Sequence, residues 1–155
     1  MNRQFKTQDV VRLTKTTRSR IEEWRRRGIV EVPQARPLLW GDEELLTAAL
    51  IAAFTDAGAP LEAVRGLQVL IRQCGSPELL RGARLVVTLP TRTDVEGAAA
   101  DGIPYHTAKL IKSDSALIEL AHGAAQTLVI VDVGEILNAL ERARAEDEGR
   151  GAEVA

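Results

Sequence analysis

Aromatic residues are scarce in this chain. Only Phe5, Trp24, Trp40, Phe54 and Tyr105 occur among 155 residues, so there is little from which to build stacking platforms for unpaired bases. Cysteine is scarcer still: Cys74 stands alone, which excludes a disulfide framework and a cysteine-paired zinc site and leaves it to be read as a buried small hydrophobe. The two histidines, His106 and His122, lie in different segments. A metal would need further ligands from Asp101, Asp114 or Asp132, and nothing in their spacing demands one. The longest apolar run, Ala48–Phe54, falls far short of the roughly 20 residues that cross a bilayer. No apolar stretch follows the basic N-terminus as it would in a signal peptide. Gly97–Gly102 is acidic and alanine-rich, unlike a phosphate-cradling loop, and Ser113-Asp114-Ser115 is turn chemistry and not part of a triad. These absences point to a soluble, cytoplasmic, non-enzymatic protein with no metal and no cofactor.

What the chain does have is a lopsided charge distribution. The formal net charge is only −2, yet residues 1–40 carry ten basic side chains against four acidic ones, a net of +6. Residues 41–155 hold ten basic and 18 acidic, a net of −8. Attraction for phosphate depends on the nearby patch and not on the total, so the opening segment is a candidate polyanion site.

Hydrophobic spacing and punctuation give the elements. Thr7 can cap a helix running to about Leu13, with Val10, Val11 and Leu13 as its apolar stripe. After the tight turn Lys15-Thr16-Thr17, Thr16 or Thr17 can cap a second helix, Arg18–Arg27, with Ile21 and Trp24 on one face and Gly28 as its C-terminal stop. Two helices this short, joined by so brief a turn, make a helix-turn-helix candidate. Pro33 and Pro37 exclude a helix over Ile29–Trp40, where Ile29-Val30 and Leu38-Leu39-Trp40 read as the arms of a ribbon. An Ala-rich third helix starts at Gly41-Asp42-Glu43-Glu44 and ends near Gly58. Pro60 opens a fourth, with Leu61, Val64, Leu67 and Ile71 inward, closed by Cys74-Gly75.

Beyond residue 75 the pattern changes. Ser76-Pro77 caps a short turn, and Arg84–Leu89 and Thr127–Val131 are β-branched strand candidates. Pro90–Tyr105 reads as a loop. Lys109–Leu120 is either a hairpin about Ser113-Asp114 or the lead into a helix Ala116–His122 capped by Ser115, with the helix preferred. Asp132 or Gly134 begins a last helix, Glu135–Ala145. The expected fold is α+β: a winged helix-turn-helix over residues 1–75, a small α/β dimerisation or partner-binding region over 76–146, and a disordered tail over 147–155.

The first half resembles the MerR-type winged-helix DNA-binding domain. The matching pieces are Thr7-Gln8-Asp9-Val10-Val11-Arg12-Leu13-Thr14, Ile21–Val30, Trp40-Gly41-Asp42-Glu43-Glu44-Leu45 and Asp56–Val64, in the right order and spacing. The resemblance implies a second helix entering the major groove and a wing along the backbone, with both helices fixed from beneath by Val10, Ile21, Trp24 and Leu45. Two positions depart from the family pattern. Lys15 stands in the turn where the family often has glycine, so it either adopts a left-handed conformation or belongs to a different turn. In the wing, Pro37 and Leu38 replace the family's aromatic–arginine pairing, so its phosphate-clamping role either falls to Arg36, shifted along the ribbon, or is absent.

The DNA-binding set expected on this basis is Arg12, Thr16, Thr17, Arg18, Ser19, Arg20, Arg25 and Arg36. Arg18 and Arg20 would meet base edges or phosphates, Thr17 and Ser19 would donate to phosphate, and Arg36 would reach phosphate or minor groove. Cations at a helix N-terminus oppose the macrodipole, so Arg18 and Arg20 suit function better than helix stability. The expected function is a sequence-specific transcriptional regulator that binds double-stranded DNA as a homodimer. The alternatives are a phage or mobile-element architectural protein of excisionase or small-terminase type, and a protein–protein adaptor on a winged-helix scaffold. An unidentified protein is a further expected partner of the C-terminal region.

Overall fold

A computed structural model of the chain describes residues 3–35, 37–89, 107–123 and 127–153. Strand β1 (Phe5–Lys6) leads directly into helix α1 (Thr7–Leu13). Thr7 is not the cap. It is already helical, and its Oγ1 accepts a hydrogen bond from Trp40 Nε1 at 3.2 Å, while Asp9 accepts from the Lys6 N–H at 3.0 Å. Lys15 has φ 52°, the left-handed conformation, and the amides of Lys15 and Thr16 close back onto the carbonyls of Arg12 and Val11. This is the hydrogen-bond pattern that a glycine usually completes.

Helix α2 (Arg18–Arg26) is capped by Thr17, whose Oγ1 accepts from the Arg20 N–H. It ends at Gly28, φ 65°, with Gly28 N–H to Arg25 O and Ile29 N–H to Trp24 O. Ile29 and Val30, expected as a ribbon arm, instead turn into the core at 3 % and 2 % exposure, because the helix stop aims the chain inward there. Buried Gln68 holds that segment: its amide oxygen accepts from Glu31 N–H and its amide nitrogen donates to Glu31 O, both at 2.7 Å. The wing is therefore shorter than expected. It pairs β2 (Gln34–Ala35) with β3 (Leu38–Trp40), and β1 flanks β3 on its other side to give the antiparallel order β1-β3-β2.

Helix α3 (Asp42–Asp56) starts with three acids, one of which, Glu44, accepts from the Gly41 N–H at 2.9 Å. Leu45, Leu46, Ala48, Leu50, Ile51 and Phe54 are all buried, so the helix is apolar on every side and central to the molecule. The single fourth helix expected from Pro60 is interrupted. A 3-10 turn over Leu61–Val64 and helix α4 (Leu67–Gln73) are separated by Gly66 at φ 87°, a conformation no α-helix continues through. Cys74, expected to be buried, is only half-buried at the end of α4.

Strand β4 (Arg84–Leu89) is the middle of a second antiparallel sheet, order β5-β4-β6, between β5 (Thr107–Ile111) and β6 (Thr127–Asp132). Leu85 lies opposite Val131 and Val87 opposite Val129, and these four face the core. Helix α5 (Asp114–Gly123) precedes β6 and is capped by Ser113, two residues earlier than the Ser115 expected: Ser113 Oγ accepts from the Ala116 N–H. The expected loop Pro90–Tyr105, with His106 beside it, lies outside the described residues.

At the C-terminus, residues 147–155 were expected to be disordered, and the described ones, up to residue 153, are helical. Helix α6 runs unbroken over Val133–Glu153, capped by Asp132 Oδ1, which accepts from the Glu135 N–H. Leu137 and Leu140 enter the core, Arg144 pairs with Asp42 at 2.6 Å, and Asp147 and Glu148 pair with Arg12 and Arg3. Partners more than 100 residues away, invisible to local periodicity, hold the acidic end in place. One apolar cluster extends from Val10 to Leu140, across residue 75.

Candidate nucleic-acid interface

At about 100° per residue, Ile21 and Trp24 fall on one side of α2, Ser19, Glu22 and Arg26 fall on the opposite side, and Arg18 and Arg25 lie on the flank between the two. Burial agrees: Ile21 and Trp24 are 0 % and 2 % exposed, and the other five are open to solvent. Val10 and Leu45, also buried, complete the support expected beneath the two helices. The outward face of α2 is thus a rigidly seated platform.

The expected contact residues are distributed unevenly over it. Arg18 is exposed and donates from Nε to Glu22 Oε1 at 2.8 Å. Ser19 is exposed, with its hydroxyl 3.2 Å from Thr17 Oγ1. Arg25 is exposed and makes no ion pair among the described residues, and Arg26 beside it is in the same state. Arg20 is turned away. Its Nη1 meets Asp56 Oδ1 at 2.9 Å, its Nη2 donates to Thr55 Oγ1 at 2.5 Å, and its guanidinium lies 5.5 Å from the Trp24 ring centre. It ties α2 to the end of α3. Arg12 is half-exposed and shared between Asp9 and Asp147.

Thr16 is a correction. It was expected to contact DNA, but it is 8 % exposed and its hydroxyl is buried without a hydrogen-bond partner among the described residues, because the left-handed turn at Lys15 swings the next residue inward. Arg36 lies outside the described residues.

Three residues of this surface fall outside the expected contact set. Lys15 protrudes from the turn just before α2, exposed and without an ion pair among the described residues. Arg26 and Glu22 share the outward face with Ser19. Helical spacing alone places Glu22 and Arg26 on this face, whereas the exposure of Lys15 comes from the turn.

At the other end of α2, Arg27 pairs with Glu23 at 3.1 Å, and Arg65 donates to the Arg27 carbonyl at 3.2 Å. The hydrogen bond that Arg65 donates to Glu62 pushes the Arg65 guanidinium above its ordinary pKa and keeps this cation at the helix C-terminus, where the dipole favours it. Among the described residues, no helix is long and apolar enough to cross a membrane.

Residues 5–68 match the family model described as MerR HTH family regulatory protein, which covers the helix pair, the wing, α3 and the first residues of α4. None of the curated proteins matches the chain.

Proposed function

We propose that this chain, whose residues 5–68 form a MerR-type helix-turn-helix domain of a DNA-binding regulator family, acts as a cytoplasmic, sequence-specific transcriptional regulator on double-stranded DNA. The observation that carries the reading is the outward face of α2. Arg18, Ser19, Arg25 and Arg26 are displayed together on a helix whose reverse side is locked into the core. A helix of this width enters a major groove, and its cations neutralise the phosphates on either rim. Lys15 extends the same surface toward the backbone of the turn.

The protein works as a homodimer. A single module this small buries limited DNA surface, and two half-sites multiply both affinity and specificity. The region after residue 75, with its two edge strands β5 and β6, supplies the contact between copies. No enzymatic step and no cofactor enter this function.

The test is a fluorescence-anisotropy titration of the full chain against duplex DNA at several salt concentrations. Affinity falls steeply with salt in the wild type. The double variant Arg25→Ala with Arg26→Ala binds more weakly at every salt and shows a shallower slope. Affinity indifferent to salt, or unchanged in that variant, refutes the reading and favours an adaptor role.

A further inference from the structure

The outward face of α2 holds one residue that a purely phosphate-binding surface would not have. Glu22 lies one turn after Arg18, between Arg18 and Arg26 around the helix, with its side chain 55 % exposed. A carboxylate there is repelled by phosphate and by the N7 and O6 acceptors of guanine. It has no proton to donate, so in the major groove it can be satisfied only by an exocyclic amine, cytosine N4 or adenine N6. Its contact with Arg18 narrows the choice. Arg18 uses Nε on Glu22 Oε1, which leaves the two terminal nitrogens of the guanidinium and Glu22 Oε2 without partners among the described residues. The pair therefore presents a fork of donors beside one acceptor. A G·C pair displays the complement: two acceptors on guanine and one donor on cytosine.

We infer that Arg18 and Glu22 act as a composite reader of a G·C base pair, with Arg18 donating to guanine and Glu22 accepting from cytosine N4. The inference rests on the proposed entry of α2 into the major groove. Arg18 is the first residue of the helix, which is where recognition helices meet base edges. The pairing also pre-orders the arginine, so its fork is aimed before DNA arrives. Glu22 is the specificity element of the two, because it penalises every base that offers it only acceptors.

The experiment is selection from a pool of randomised duplexes with the full-length wild type, Glu22→Ala and Glu22→Gln. Both substitutions are at an exposed site and leave the fold intact. The wild type fixes one position as G·C, with discrimination of roughly tenfold or more against other pairs. In Glu22→Ala that position relaxes while the rest of the selected site is unchanged. In Glu22→Gln it shifts toward adenine, whose N6 and N7 match the amide. A wild type that selects a site whose every position survives in Glu22→Ala overturns the inference alone. A wild type that retains no duplex, or retains all without preference, overturns the proposed function and the inference together.

Discussion

Replacing Lys15 by glycine should stabilise this protein, although it deletes a side chain and creates no contact. Lys15 sits at φ 52°, where the Cβ of an L-residue crowds the following carbonyl at a cost of about 1–2 kcal/mol. The turn requires that conformation. Only there can the amides of Lys15 and Thr16 reach the carbonyls of Arg12 and Val11, at 3.3 and 3.2 Å, and finish α1. The lysine side chain contributes nothing in exchange, being exposed and unpaired among the described residues. Glycine removes the crowding but adds freedom to the unfolded chain, worth about 0.4–1 kcal/mol, which leaves a net gain of about 1 kcal/mol. For a domain of this length that raises Tm by roughly 2–4 °C. Asparagine, which tolerates the left-handed region, should fall between lysine and glycine, and valine should lie below lysine because its branched side chain does not. Thermal unfolding followed by circular dichroism at fixed pH and salt gives the order directly. A Lys15→Gly variant that melts at or below the wild type, or a valine variant that melts above it, would show that the turn does not carry this strain.

Arg18→Ala should weaken DNA binding with little change in Tm. Arg20→Ala should do the reverse, losing about 1 kcal/mol of stability with its contacts to Thr55 and Asp56; paired melting and anisotropy measurements separate the two. Lys15→Asn keeps the turn and removes a charge, so a log–log salt slope shallower by about 1 is expected if Lys15 meets phosphate, and an unchanged slope if it does not. Thr16→Val removes a buried hydroxyl that has no partner among the described residues, and should raise stability by about 1 kcal/mol in urea denaturation; a loss would mean the hydroxyl is paired after all. Gly134→Ala would drive a methyl group into the Arg81 carbonyl and to 3.1 Å from Asp132 Oδ1, the oxygen that caps α6. A loss of about 2 kcal/mol in the same assay is expected.

Much of the architecture was legible because it is encoded locally. Thr17 caps α2, Gly28 stops it, and the β-branched run Arg84–Leu89 is a strand with those same ends. The inward placement of Ile21 and Trp24 followed from spacing alone. What escaped was decided at long range. Past Ala145, α6 is tied through Asp147 to Arg12 and through Glu148 to Arg3, partners that its own periodicity does not announce. Ile29 and Val30 have strand-like composition, and the fold uses it to fill a core. The candidate interface shows the same division. That Arg18 and Arg25 point outward was readable, whereas the diversion of Arg20 needed Asp56, 36 residues further on. The loss of Thr16 to the interior needed the handedness of one preceding residue.

The all-round burial of α3 sets a limit on how this polypeptide can be dissected or recombined. One flank of that helix packs against the helix-turn-helix half, and the other is roofed by β6, α6 and the turn at Pro77–Leu80. A fragment ending at residue 75 would leave Leu46, Leu50 and their neighbours wet, and would aggregate before it could be assayed. Grafting the N-terminal half onto an unrelated domain would therefore require a substitute lid of matching shape, so the two halves can be inherited only as a set.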